Sequence, residues 1–121
     1  MSGATSLVAR LARYAGVVLN AMTALAWGGI AALQFTSRLP LYGVISIVLI
    51  VLYTRTAWGF LQHDVRAYAR SFQVHILGLV IEGAEIMFQH AWLYAPLAVI
   101  HALAFVATWL SKSEFLGPRV T

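Results

Sequence analysis

Two carboxylates, Glu82 and Glu85, lie in an apolar stretch of this sequence at a spacing that places them on one face of a helix. They belong to a stripe whose members are separated alternately by three and four positions: His75, Gly78, Glu82, Glu85 and Gln89. Because a helix turns by about 100° per residue, these side chains share a narrow arc. A charged side chain at the centre of a bilayer-spanning helix costs roughly 2.5–3.5 kcal/mol. The stripe is therefore predicted to face a protein interior or a wet cavity.

The composition of the whole chain is typical of a membrane protein. Its 121 residues are 61% hydrophobic and 10% charged, whereas a soluble domain is about 25% charged. The arc opposite the carboxylates can face lipid, since it holds Leu77, Val80, Ala84 and Met87. The chain has no cysteine, which excludes disulfides, a thiolate nucleophile and covalently attached c-type haem. We therefore predict a protein whose main partner is the lipid bilayer.

Four apolar runs are long enough to build a bundle around this stripe. They cover residues 14–35, 41–63, 71–91 and 97–111. The first three are close to the roughly 20 residues that a bilayer core requires, and the fourth is shorter. Pro40 and Pro96 begin the second and fourth helices well, because proline needs no amide hydrogen there. Residues 63–70 are interpreted as a polar connection. The sequence thus predicts an all-α fold: an integral membrane four-helix bundle with up-down topology, in which residues 1–121 form a single transmembrane domain.

The basic residues predict an orientation in the membrane. Four spans place both termini and the central connection on one side. Positive residues on that side are Arg10, Arg13, Arg66, Arg70, Lys112 and Arg119, against Arg38 on the other. Cytoplasmic segments carry the excess of Lys and Arg, so both termini are predicted to be cytoplasmic in a multi-pass protein of the cell membrane. Basic residues scattered in this way also argue against nucleic acid as a partner.

Counting residues from each connection predicts that polar side chains from all four helices meet near one level. With the central turn taken at 65–69, Arg55 lies at nearly the height of Glu82. The outer turn near Trp92 brings His101 to the depth of both carboxylates, closer to Glu85, and the first turn brings Asn20 or Thr23 to the level of Arg55. The predicted midplane site is Asn20, Arg55, Glu82, Glu85 and His101.

The charges at this site favour a role for a proton. Arg55 can neutralise one carboxylate, expected to be Glu82, which leaves Glu85 either protonated or balanced by protonated His101. A spare proton site at the midplane is what proton-linked transport or conduction requires. The favoured function is therefore movement of a proton, a small ion or a solute, by a homo-oligomer or a subunit of a larger membrane complex. No catalytic residues are predicted, and an enzyme is not the favoured class.

Two alternatives come from other classes of protein. His63 and His75 flank the central connection and could ligate a haem b from neighbouring helices, as in a haem-bearing or accessory subunit of a respiratory oxidoreductase. A purely structural subunit of a membrane assembly would use the polar cluster only to hold helices together. Glu82, Glu85 and His101 would also suit manganese, iron or zinc. Because these residues already explain one another, we predict no metal, and no cofactor apart from the haem of the first alternative.

Overall fold

The computed structural model describes residues 3–117, and Arg119, which entered the charge count, lies outside this range. Four long helices are present: α1 (Gly3–Thr36), α2 (Pro40–Leu61), α3 (Val65–Gln89) and α4 (Ala95–Leu110). A single 3-10 turn (Trp92–Tyr94) precedes α4, and a five-residue helix, α5 (Lys112–Leu116), follows it. The fold is the predicted all-α four-helix bundle, and the described residues contain no strand.

The helices follow one another around the bundle in up-down order. Each long helix packs against its sequence neighbours and α4 packs against α1, whereas α1 and α3 lie diagonally opposite. Short connections force neighbours to run antiparallel, as the bonds from Ser46 to Gln34 and between Ser71 and Thr108 show. We call the end with the 37–39 and 90–94 connections the distal face. The end with the 62–64 connection and α5 is the terminal face.

Two helices are longer than the apolar runs predicted. The segment expected to connect α2 to α3, residues 63–70, is helical from Val65, because Asp64 is an N-cap whose side chain accepts a hydrogen bond of 2.9 Å from the Arg66 amide. His63 ends the preceding helix with a positive φ of 57°. The first helix begins at Gly3 rather than at Tyr14. The central turn therefore occupies only residues 62–64.

Four helices of the described chain are long and apolar enough to cross a membrane, judged by length and composition. These candidate spans are Leu7–Thr36, Pro40–Leu61, Val65–Gln89 and Trp92–Leu110. The predicted lipid-facing arc of α3 is exposed, with Val80 at 63% and Met87 at 73%. Exposed apolar side chains all around the bundle are what a multi-pass membrane protein requires.

A buried arginine of α1, Arg13, joins α1 to α2 and α5 at the terminal face. The Nη1 atom of Arg13 donates to the Phe60 carbonyl oxygen at 2.7 Å, and its Nε atom donates to Oε1 of Glu114 at 3.2 Å. The cation thus lies at the carbonyl end of α2, where the helix dipole favours positive charge. Phe115 of α5 packs on Phe60 with ring centroids 4.7 Å apart. Arg13 and Phe115 together close this end of the bundle.

Candidate functional site: a buried hydrogen-bonded chain

Four polar side chains from α1, α3 and α4 form a continuous chain across the bundle interior. Oε1 of Glu82 lies 2.6 Å from Nε2 of His101, and the Nδ1 atoms of His101 and His75 are 2.7 Å apart. His75 Nε2 lies 2.9 Å from Oδ1 of Asn20. All four residues have a relative exposure of 0%. We call this set, Glu82, His101, His75 and Asn20, the Glu82–Asn20 chain.

Hydrogen-bond donors and acceptors determine how many protons the chain holds. Asn20 Nδ2 donates to the Gly16 carbonyl oxygen at 2.8 Å, so Oδ1 is its acceptor and His75 Nε2 must carry a proton. One proton must also occupy the bond between the imidazoles, and one the bond between His101 and Glu82. A carboxyl group and two imidazoles that share three protons are neutral overall. Each hydrogen bond is then satisfied without a net buried charge.

Protons can shift along these hydrogen bonds without any change in their total number or in the net charge of the Glu82–Asn20 chain. With the proton on Glu82 every member is neutral; its transfer to His101 makes an ion pair, and a second shift makes His75 the cation. Removal of one proton would leave two acceptors facing each other in one of the three bonds, with a net negative charge in the bundle interior. The chain can therefore store a proton and can pass it between three groups.

Tyr53 of α2 and Gly78 of α3 hold the two imidazoles in place. The Tyr53 ring lies 5.2 Å from the His75 ring and 5.5 Å from the His101 ring, centroid to centroid, and its hydroxyl donates to the Val74 carbonyl oxygen. A Cβ atom on Gly78 would meet His101 and the Tyr53 hydroxyl closer than 3.0 Å, a distance that real Cβ atoms essentially never show. Glycine at this position is what lets the His101 ring approach α3.

One end of the chain is closed and the other ends in an unpartnered atom. The Asn20 amide is bonded to helix backbone, and neither group ionises. At the other end, Glu82 Oε2 is buried and has no hydrogen-bond partner among residues 3–117. Within the same range, the indole Nε1 of Trp27 is the other buried polar side-chain atom without a hydrogen-bond partner. A buried carboxylate oxygen without a partner indicates a point where a small polar molecule can bind.

Comparisons with known proteins do not name this arrangement. No protein-family model matches the sequence, and neither curated proteins nor solved structures give a match. Function is therefore inferred from the geometry of the Glu82–Asn20 chain.

The predicted Arg55–Glu82 pair was wrong. Arg55 is exposed on α2, whereas Glu82 is buried against His101. The depth count placed the central turn four residues too late: with the turn at 62–64, the bond from Tyr53 to Val74 shows that Arg55 is level with the region of Phe72. Glu82 lies ten residues further along α3, about 15 Å away along the helix axis. Arg55 is six residues from the end of α2, within reach of the membrane surface for a long side chain.

The other predicted site residues divide into two groups. Asn20, Glu82 and His101 come together as members of the chain. Glu85 is half-buried, one turn from Glu82, and is not a member of the chain. Among residues 3–117, no three carboxylate, histidine or cysteine side chains are grouped closely enough to hold a metal ion, so the metal alternative finds no support in Glu82, Glu85 and His101.

The two histidines proposed for haem are not brought together. His63 is exposed in the 62–64 connection, with Nε2 3.9 Å from Glu114. Both ring nitrogens of His75 are occupied, one by His101 and one by Asn20, so neither can bind an iron in this arrangement. His75 is instead the central member of the chain. The position of His75 on the same helical stripe as Glu82 was the sequence signal for this role. No sequence pattern indicated the role of Tyr53, because a lone tyrosine in an apolar run is ordinary.

Proposed function

We propose that this protein carries out proton-linked transport across a membrane, with the Glu82–Asn20 chain as the group that binds the proton. One observation carries the proposal: a buried carboxyl group and two buried imidazoles are joined by direct hydrogen bonds, with a proton required in each bond. Ionisable residues inside membrane helices mark proton relays and ion pathways. The closed Asn20 end favours a carrier, in which the site opens alternately, over an open proton channel.

The test is proton flux into liposomes that contain the purified protein. Glu82→Gln keeps the shape of the side chain and removes the carboxyl group, so we expect it to abolish flux driven by a pH gradient. Glu85→Gln makes the same change one turn along α3, outside the chain, and should leave most of the flux. Circular dichroism and gel filtration would establish that both variants fold.

Flux that survives in a folded Glu82→Gln protein would refute the proposal. A wild-type protein without flux in either direction of the gradient would refute it as well, and would favour a structural role for the chain. Loss of flux in Glu85→Gln with retention in Glu82→Gln would return the proton-binding role to Glu85, the carboxylate that the charge count had favoured.

We also propose that the terminal face is cytoplasmic, in the cell membrane. The support is the distribution of basic residues: Arg13, Arg66 and Lys112 lie towards the terminal face, whereas Arg38 lies in the distal connection. The chain has no native cysteine, so single cysteines can report on topology without background. A cysteine at Gln62 should be protected from an impermeant thiol reagent in intact cells, and one at Ser37 should react. The reverse pattern would overturn the orientation.

We further propose that the protein works as a homo-oligomer or as a subunit of a larger membrane complex. Between the four helices, the interior at the chain is filled by Tyr53 and the two imidazoles, which leaves little space for a solute. On the outside, an apolar groove between α1 and α2 is lined by small residues that include Ala21, Ala24 and Gly28. Small residues allow helices to approach closely in membranes. Chemical cross-linking in native membranes, compared between wild type and Ala21→Leu, tests whether this groove is an interface.

A further inference from the structure

We infer that, in the conformation of this structure, the Glu82–Asn20 chain exchanges its proton through the distal face and not through the terminal face, by way of a water-binding site between Glu82 Oε2 and Trp27 Nε1; the terminal side would open in the other state of the carrier. This inference rests on the proton-linked function proposed above and specifies the side from which the site is loaded. It follows from three features of the structure: the two unpartnered polar atoms, their common level in the bundle, and the packing on the opposite side of the chain.

The two unpartnered atoms lie at the same level. The side chains of Asn20 and His75 are hydrogen-bonded, and α1 and α3 run in the same direction through the bundle. Trp27 and Glu82 each lie seven residues further along, which is about 10 Å and almost two full turns, so they return to nearly the same helix faces. Trp27 is 2% exposed and Glu82 is 0% exposed. Both polar atoms are therefore buried, and the residues that carry them lie at one height above the Asn20–His75 bond.

Their chemistry is complementary for one small ligand. The indole Nε1 only donates a hydrogen bond, whereas the carboxylate oxygen accepts one or, when protonated, donates one. A water molecule can accept from the indole and donate to the carboxylate, which gives it the minimum of two polar partners that a buried water needs. The class of ligand is thus a small neutral molecule that both accepts and donates a hydrogen bond, such as water. Such a water would extend the chain beyond Glu82 to Trp27 of α1.

The route to the distal face is short and partly polar. Glu82 is seven residues, about 10 Å, from the end of α3. Tyr94, in the 3-10 turn at that face, is half-buried and packs on Trp27 with ring centroids 6.3 Å apart. The titratable groups that face Glu82 from the elements around it are His75 and Glu85 of α3, His101 of α4, Tyr53 of α2 and Tyr94 of the turn. Of these, Tyr94 and Glu85 lie on the distal side of the carboxylate.

The opposite side of the chain is closed by aromatic packing and by a hydroxyl pair, Ser71 and Thr108, whose hydrogen bonds are already made. The Phe60 ring lies directly against Gly16, whose carbonyl oxygen holds the Asn20 amide, and it leaves no room there for a Cβ atom. Phe60 is itself 0% exposed and is covered by Phe115. On the side of α1, a proton would have to cross this aromatic layer and the Asn20 amide to reach His75 from the terminal face; between α3 and α4 it would meet the Ser71 and Thr108 hydroxyls, which do not ionise.

The experiment follows protonation of Glu82 when the pH is changed on one side only. Proteoliposomes are prepared in which a cysteine introduced at Ser37 reports, through its reaction with an impermeant thiol reagent, which face is outward. Two signals are recorded within milliseconds of a pH step: the infrared carboxyl band that is lost in Glu82→Gln, and Trp27 fluorescence. For the second signal, the exposed residues Trp58, Trp92 and Trp109 are replaced by Phe.

We expect both signals to respond to a step on the distal side and to remain constant, on that timescale, after a step on the terminal side. Trp27→Phe removes the indole donor and keeps an aromatic ring, so it should slow the infrared response at least several-fold. An equal response to steps on both sides, or a response to the terminal side alone, overturns the inference even if flux depends on Glu82. A carboxyl band that responds from neither side overturns it too. Loss of flux is measured separately with Glu82→Gln, so the two proposals can fail independently.

Discussion

Replacement of Gly78 by alanine is the sharpest structural test of the site, because it adds one methyl group at the point where the His101 ring and the Tyr53 hydroxyl approach α3. The new Cβ atom would lie against the His101 ring and the Tyr53 hydroxyl, closer than 3.0 Å. The neighbouring groups cannot move without loss, since His101 is bonded to Glu82 on one side and to His75 on the other. Overpacking of this kind costs typically about 1–3 kcal/mol of unfolding free energy.

A matched control is available one turn further along the same helix. A Cβ atom on Gly83 would meet nothing within 4 Å outside its own helix turn. Both substitutions gain the same intrinsic helix preference of alanine over glycine, about 1 kcal/mol. That gain cancels when the two variants are compared, so Gly78→Ala should be less stable than Gly83→Ala by about 1–3 kcal/mol. Against wild type, Gly83→Ala should be neutral or slightly stabilised.

Reversible unfolding in mixed micelles, followed by circular dichroism, measures the difference in stability. The liposome assay measures its consequence, since displacement of His101 should lengthen its bond to Glu82 and reduce flux, while Gly83→Ala retains it. Equal stability of the two variants, within about 0.5 kcal/mol, together with equal flux would refute the close packing of His101 on α3.

Two further predictions concern arginines in different settings. Arg55→Met should change the unfolding free energy by no more than about 0.5 kcal/mol, because the side chain is exposed; a large loss of stability would restore the pairing with Glu82. Arg13→Met should cost about 1–3 kcal/mol, because it leaves the Phe60 carbonyl oxygen and Glu114 without their buried donor. Adding Glu114→Gln should recover part of that loss, and no recovery in the double variant would show that the carboxylate does not depend on Arg13.

The architecture could be predicted from the sequence because it depends on the average hydropathy of long segments, which does not require knowledge of individual contacts. Four runs of about 20 apolar residues, interrupted by polar turns, predict four antiparallel helices whatever the details of packing. The inward face of α3 was predicted for its first part, since His75, Gly78 and Glu82 follow helical spacing and are all buried, whereas Glu85 is half-buried and Gln89 is exposed. Periodicity reports which residues face inwards, and that information is local to one helix.

The partners of those residues could not be predicted in the same way, because they depend on the register between helices. An error of four residues in the position of the central turn moves the predicted partner by twice that number of residues, or about 12 Å, because the count changes on both sides of the turn; this matched Arg55 with the wrong level of α3. Asp64, followed closely by a helix, was the signal that would have corrected the turn. The choice between Glu82 and Glu85 is finer still, because they are one turn apart, and it depends on where the His101 side chain meets α3.

The same interface between α3 and α4 provides an internal comparison that argues against a purely structural role for the chain. Nearer the terminal face, the buried hydroxyls of Ser71 and Thr108 join these two helices by a hydrogen bond of 2.7 Å, without any ionisable group. Interhelical hydrogen bonds within membranes contribute modestly, about 0.6 kcal/mol on average in double-mutant cycles. Glu82 and His101 make the same connection with groups whose charged forms are costly inside a bilayer. Because a hydroxyl pair also joins α3 to α4, the feature that the carboxyl–imidazole pair adds to this interface is a pair of titratable groups, which is what the proposed proton-linked function requires.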